Sequence, residues 1–161
     1  MAAPRPANWL AFLLPSALLG GALIGQYGFG LYPCEMCMWQ RWPHLAAIIL
    51  ALTALIIRSK ARSTPLVIAA AMAILISGMI GGFHAGVEYG WWEGLTACAT
   101  NMPAGGDMLD SIMNAPLVRC DVAPWTLFGI SLAGFNFLLS VGGAILILIT
   151  VATGRKGAIY G

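Results

Sequence analysis

"PCEMCMWQRWPHLAAIILALTALII", residues 33–57, decides the fold. A cysteine pair, Cys34 and Cys37, runs directly into an apolar segment at about 38–57. Crossing the hydrocarbon core of a bilayer takes roughly 20 mostly apolar residues in a helix. Three further segments, at about 9–27, 65–85 and 125–153, have the same character. The expected fold is therefore all-α, a four-transmembrane-helix bundle, with residues 1–161 forming one integral-membrane domain.

Composition agrees with a bilayer environment. The 161 residues are 60% hydrophobic and 9% charged, with a mean hydropathy of +0.85. A soluble domain carries roughly a quarter charged residues. A net charge of +2 is too small to indicate nucleic acid, and no stretch is polar enough to form a separate soluble domain. The first segment is read as a retained helix, not a signal peptide. "GQYGFGLYPC" offers no clear small-x-small cleavage site, and one basic residue precedes the segment.

Charge placement orients the bundle. Arg5, Arg58, Lys60, Arg62, Arg155 and Lys156 all fall on one side of the expected spans. The opposite side holds every acidic residue, Glu35, Glu88, Glu93, Asp107, Asp110 and Asp121, together with Arg41 and Arg119. Lys/Arg enrichment in short loops marks the cytoplasmic face. Both termini and the 58–64 loop are thus expected in the cytoplasm, and loops 28–37 and 86–124 outside it. All four cysteines, Cys34, Cys37, Cys98 and Cys120, lie in those two outward loops. Disulfides form and persist in oxidising compartments.

Cys34-x-x-Cys37 admits three readings. A staple across so short a loop constrains little of the unfolded chain. Half of a zinc site would need Cys98 and Cys120 as the other ligands, yet these are far apart in sequence. A redox dithiol fits the position best. Cys37 sits near the start of the second span, where the positive end of the helix dipole favours a thiolate. Arg41 is its i+4 neighbour, and a fixed cation beside a sulfur favours the thiolate too. At membrane depth an arginine without a role is costly, the bland alternative being a side chain that snorkels to the interface.

Cys98 and Cys120 enclose two prolines, a Gly-Gly and two aspartates. A disulfide there would be exposed to a partner. Within it, "DMLDSIMNAPLV", 107–118, has an apolar face at Met108, Leu109, Ile112 and Met113. That pattern is expected either as a short surface helix or as a loop packed on the bundle. Two dithiols on one side of a membrane suggest a relay by thiol–disulfide exchange. Its electrons need a terminal acceptor, and at the hydrocarbon boundary a lipid-soluble quinone is the natural one.

These residues carry a resemblance to a known family. "PCEMCMWQR", then "HAGVEYGWWEG" at 84–94, Cys98, and "RCDVAPWTLFGISLAGFN" at 119–136 are together similar to the disulfide bond formation protein B (DsbB) family of bacterial inner-membrane thiol–quinone oxidoreductases. The likeness covers nearly the whole chain in order. It implies that Cys98 forms a mixed disulfide with a periplasmic thioredoxin-fold oxidase resembling DsbA. Cys120 would be the partner of Cys98 and would exchange with Cys34. Cys37 would be the sulfur next to the quinone, ubiquinone or menaquinone, and Arg41 would bind and polarise it. No metal is implied.

His44 and His84 are candidates for handling quinone protons, or are histidines satisfied at the interface. Trp91 and Trp92, near Glu88, read as interfacial anchors; Trp125 and Phe135 read as packing residues. A vitamin K epoxide reductase-like enzyme also joins a four-helix bundle to a C-x-x-C and a quinone. In that family the quinone-facing pair comes late in the chain, and here the order is reversed. A non-catalytic membrane protein, with cysteines that staple or bind metal, would leave Arg41 without a role.

Overall fold

The computed structural model describes residues 5–57, 60–95, 99–100 and 117–157. Cys98 and almost all of the expected surface helix at 107–118 lie outside the described residues. Four long helices account for most of the chain: α1 Arg5–Phe29, α2 Glu35–Ile56, α3 Lys60–Glu88 and α4 Leu132–Gly157. Two short antiparallel pairs join them. β1 (Ala99–Thr100) pairs with β2 (Leu117–Val118), and β3 (Thr126–Leu127) with β4 (Ile130–Ser131).

The helices pack through small side chains. Ala7 and Ala11 on α1, Ala47, Ala51 and Ala54 on α2, Ala70 and Ala71 on α3 and Ala144 on α4 are buried together with Val67, Ile74, Ile147 and Val151. Without water to drive apolar groups together, lipid-embedded helices associate by close backbone approach, which small residues permit. Gly78 shows how close that approach is. A Cβ there would lie 3.0 Å from the Ser140 and Val141 side chains of α4. Large apolar residues such as Ile49, Ile76, Leu139 and Ile149 point outward, as a lipid-facing surface requires.

Among the described residues, α1, α3 and α4 contain stretches long and apolar enough to cross a membrane. The first half of α2 is more polar, carrying Glu35, Gln40, Arg41 and His44. The chain is thus a multi-pass membrane protein whose second helix holds its polar residues near one end.

Helix ends follow local chemistry. Past α3, Gly90 takes φ +71°, Trp91 N–H donates to Gly86 O and Gly90 N–H to Val87 O. That is a Schellman closure, in which glycine enters the left-handed region at no steric cost. The fourth helix starts at Leu132 and not near residue 125. Residues 126–131 instead form a hairpin whose two turn residues, Phe128 and Gly129, both have positive φ. The Tyr89 hydroxyl accepts from Ser131 N–H at 3.0 Å and donates to Gly129 O at 3.2 Å, tying the end of α3 to this hairpin.

Candidate active site

The helix start at Glu35 makes Cys34 the N-cap of α2, with extended backbone. Its sulfur occupies the place a serine or aspartate oxygen usually takes, accepting from Cys37 N–H at 3.3 Å. Cys37 is one turn on, and the two sulfurs are 3.2 Å apart with Cys34 donating to Cys37. The end of α3 brings a third group, His84, whose Nε2 is 3.5 Å from Cys34 Sγ. The strand–turn segment before α4 brings a fourth. Cys120 Sγ, Cys34 Sγ and a ring nitrogen of His84 all lie within 4.8 Å of one another. All three described cysteines are free thiols. As metal donors the mutually close trio Cys34, His84 and Cys120 is one short of the four that close a structural zinc site. As thiols, the sulfurs sit close enough for exchange after a small rotation.

Apolar side chains enclose the sulfurs. Met36, Val87, Phe83 and Val118 pack on Cys34, Cys37 and Cys120. The hydrogen bond given to Cys37, together with burial, pushes the Cys34 thiol up to about 12. Cys34 is therefore a thiol, not a thiolate, in the reduced protein. Arg119 and Asp121 clamp to one another on either side of Cys120, Nε to Oδ1 at 2.9 Å. The guanidinium holds the exposed Asp121 carboxyl below its usual range.

Arg41 turns toward α1. Its guanidinium donates to the Gln26 side-chain oxygen and to Ala22 O. It lines a cavity of about 250 Å³ with Leu19, Leu23, Gln26, Met38, Trp42 and Leu45. Arg41 thus lines a pocket between α1 and α2, one helical turn along from Cys37. A larger cavity of about 520 Å³ lies between the end of α3 and α4, walled by Phe83, Trp91, Trp92, Phe137 and Leu138. It has neither a cation nor a cysteine in its lining. The Trp92 ring stacks on Phe83 at 5.7 Å and donates to Phe83 O, so it packs on α3 as well as facing outward. Trp125 and Phe135 pack together at 6.4 Å.

His44 is 4% exposed and goes to the bundle interior, its Nε2 2.9 Å from Asn136 Oδ1. The structure does not bring it to the Arg41 pocket. Asn136 also donates to Gln40 Oε1 at 2.7 Å, and Gln40 reaches His84 Nδ1 at 2.9 Å. A continuous polar chain thus runs from the second turn of α4 to the sulfurs. Gln40 and Asn136 carried no assignment on sequence grounds. The signal for them is a carboxamide inside an otherwise apolar span, where such groups need internal partners.

Comparison with known proteins places the chain in a family. The sequence profile described as "Disulfide bond formation protein DsbB" matches residues 4–150. The chain is 32% identical to the disulfide bond formation protein B of Polaromonas sp. (strain JS666 / ATCC BAA-500), with 92% of each chain covered. It is 29% identical to that of Verminephrobacter eiseniae (strain EF01-2), covering 96% of this chain and 90% of the other. An uncharacterized protein of Rickettsia prowazekii (strain Madrid E), RP370, is 30% identical over 83% of this chain and 80% of its own. No solved structure matches significantly. With a profile match over nearly its whole length, the chain belongs to the DsbB family of disulfide bond formation proteins and is a membrane disulfide oxidoreductase.

Proposed function

We propose that the protein reoxidises a periplasmic thioredoxin-fold dithiol oxidase of the DsbA type and passes the electrons to a membrane quinone. The observation that carries this reading is the convergence of Cys34, Cys37 and Cys120 at one end of the bundle. In the proposed relay, a client thiolate attacks Cys98 of a Cys98–Cys120 disulfide and releases Cys120. Cys120 then attacks Cys34 of a Cys34–Cys37 disulfide. The Cys34–Cys120 bond forms, the Cys34–Cys37 bond breaks, and the electron pair stays on Cys37. Each exchange conserves electrons, so only the last step needs an acceptor.

A quinone, ubiquinone or menaquinone, supplies that acceptor by taking two electrons and two protons. The Arg41 cavity fits such a group, having apolar walls at Leu19, Leu23, Trp42 and Leu45 and a cation and an amide at its polar end. Arg41 would bind and orient a ring carbonyl there. A guanidinium held by Gln26 and Ala22 stabilises charge developing on oxygen without having to reorganise. The division of basic and acidic residues supports placement in the bacterial inner membrane, with both termini cytoplasmic and the cysteine loops periplasmic. The test is turnover by purified protein supplied with quinone and a reduced thioredoxin-fold client, with free thiols counted in each variant. Replacing any one of the four cysteines with serine should stop turnover. A Cys37→Ser variant that works like the parent would sink the relay.

A further inference from the structure

His84 and Glu88 lie beside the sulfurs but have no part in the relay as described. His84 is 1% exposed. Its hydrogen position follows from the polar chain behind it. Asn136 Oδ1 accepts from the Ser140 hydroxyl at 2.8 Å and faces His44 Nε2, so its Nδ2 must be the group facing Gln40 and Ser77. Gln40 Oε1 accepts from Asn136. Gln40 Nε2 then donates one hydrogen to Met36 O at 3.2 Å and the other to His84 Nδ1. With Nδ1 accepting, the neutral ring carries its own hydrogen on Nε2. That hydrogen faces Cys34 Sγ at 3.5 Å. Acceptors surround the ring: the Cys34 sulfur, the Cys120 backbone carbonyl, and Glu88 Oε1 at 3.7 Å from Nε2. Among the described residues, the titratable groups near the ring are Cys34 and Cys37 from α2, Cys120 from the loop before α4, and Glu88 from α3 itself. From α4 comes Asn136, which does not titrate.

We propose that His84 is the hydrogen-bond donor that carries the negative charge of Cys34 when this sulfur leaves a disulfide, and that Gln40 is the positioning residue that keeps the donor hydrogen on Nε2. The inference rests on the relay proposed above. In the step concerned, the client's second thiolate first displaces Cys98 from the mixed disulfide, and the Cys98 thiolate so released attacks Cys120 Sγ of a Cys34–Cys120 disulfide. A new S–S bond forms at Cys120, the old one breaks, and its electron pair stays on Cys34. In the fully reduced protein Cys34 turns its own hydrogen toward Cys37. The hydrogen bond to Cys37 and burial push its thiol up to about 12 even though the His84 contact already pulls it down, so without His84 the sulfur would be a still poorer leaving group. The His84 hydrogen bond counts most at the moment of departure, since one to a charged sulfur is roughly twice as strong as one to a neutral group. The same reasoning rules out a base role for the Nε2 edge. In the neutral ring that nitrogen is already protonated.

The test uses the full-length protein in nanodiscs with Cys34 as its sole cysteine, the other three replaced by alanine. Thiolate ultraviolet absorbance is followed against pH, with the matched Cys34→Ala protein subtracted. Neither quinone nor client enters, so the outcome is independent of whether the relay operates, which the turnover assay decides separately. His84→Phe should raise the midpoint by about one unit, leaving about tenfold less thiolate at a fixed pH. His84→Gln, which keeps an N–H donor, should stay within about threefold of the parent. Gln40→Leu, remote from the sulfur, should fall between the two, and it tests the proposal even where His84→Phe does not fold. An unchanged midpoint in folded His84→Phe or in Gln40→Leu overturns the proposal. So does a His84→Gln midpoint as high as that of His84→Phe, because that pattern reports only lost packing.

Discussion

Replacing Asn136 with leucine should destabilise the bundle by about 2–3 kcal/mol, although the side-chain volume hardly changes. The Asn136 carboxamide joins three helices. It donates to Gln40 Oε1 on α2 at 2.7 Å and to Ser77 O and Oγ on α3 at 3.2 Å, and it accepts from His44 Nε2 on α2 at 2.9 Å. Leucine can make none of these bonds. Ser77 O keeps its place in the helix, and the Ser140 hydroxyl can turn to its own backbone. Gln40 Oε1 and His44 Nε2 are left buried without those partners. Each orphaned polar group costs about 1–3 kcal/mol in a protein interior. Hydrogen bonds inside membrane bundles average nearer ~0.6 kcal/mol, because the unfolded helices also find partners. Two orphans, weighted between those limits, give the stated figure. The assay is reversible unfolding in mixed micelles by titration with denaturing detergent. Ser140→Ala is the control and should cost less than about 1 kcal/mol, since Asn136 Oδ1 keeps His44. An Asn136→Leu variant within about 0.5 kcal/mol of the parent would refute a joined network, that being the size of change expected at an uninvolved surface position.

Other consequences can be measured directly. Arg41→Met should raise the apparent KM for quinone by about tenfold or more, the loss of one charge-assisted contact, and leave the KM for the dithiol client within about twofold; equal effects on both would deny Arg41 its place in the quinone pocket. The pH dependence of Cys34 has a definite sign. Its folded value is raised from 9.0 to about 12, so the stability it contributes to the reduced protein is complete below pH 9.0 and is lost as pH climbs toward 12. Comparing unfolding of reduced parent and Cys34→Ala across that window should show the difference shrinking with rising pH. Phe128 is 93% exposed at φ 52°, so Phe128→Gly should stabilise the hairpin by about 1 kcal/mol, read as a higher unfolding midpoint.

Much of the architecture was legible because lipid leaves few options. Apolar runs of spanning length mark four helices, and the cysteine pair at 34–37 marks where the second begins. Two features escaped. The sequence puts the start of the last span near Trp125, because a continuous apolar run hides the Phe128–Gly129 turn, in which only one of the two positive-φ residues is a glycine. The sequence shows the site along one helix, from Cys37 to Arg41, because i+4 spacing is visible in it. Contacts between helices are not. Pairings such as His84 with Cys34, fifty residues apart, and Asn136 with Gln40, ninety-six apart, depend on how the bundle packs. That Cys34 caps the helix and Cys37 lies in its first turn depends on a boundary that composition defines only to within a few residues.

The account turns on electrons passing from a protein dithiol to a quinone through these sulfurs. The most direct measurement is anaerobic. Purified protein is mixed with a reduced thioredoxin-fold client and a soluble quinone, and quinol formed and client disulfide formed are followed together. The account predicts one quinol for each client disulfide, with neither product when Cys37 is replaced by serine. Client oxidation without quinol, or quinol formation that persists in Cys37→Ser, would contradict it.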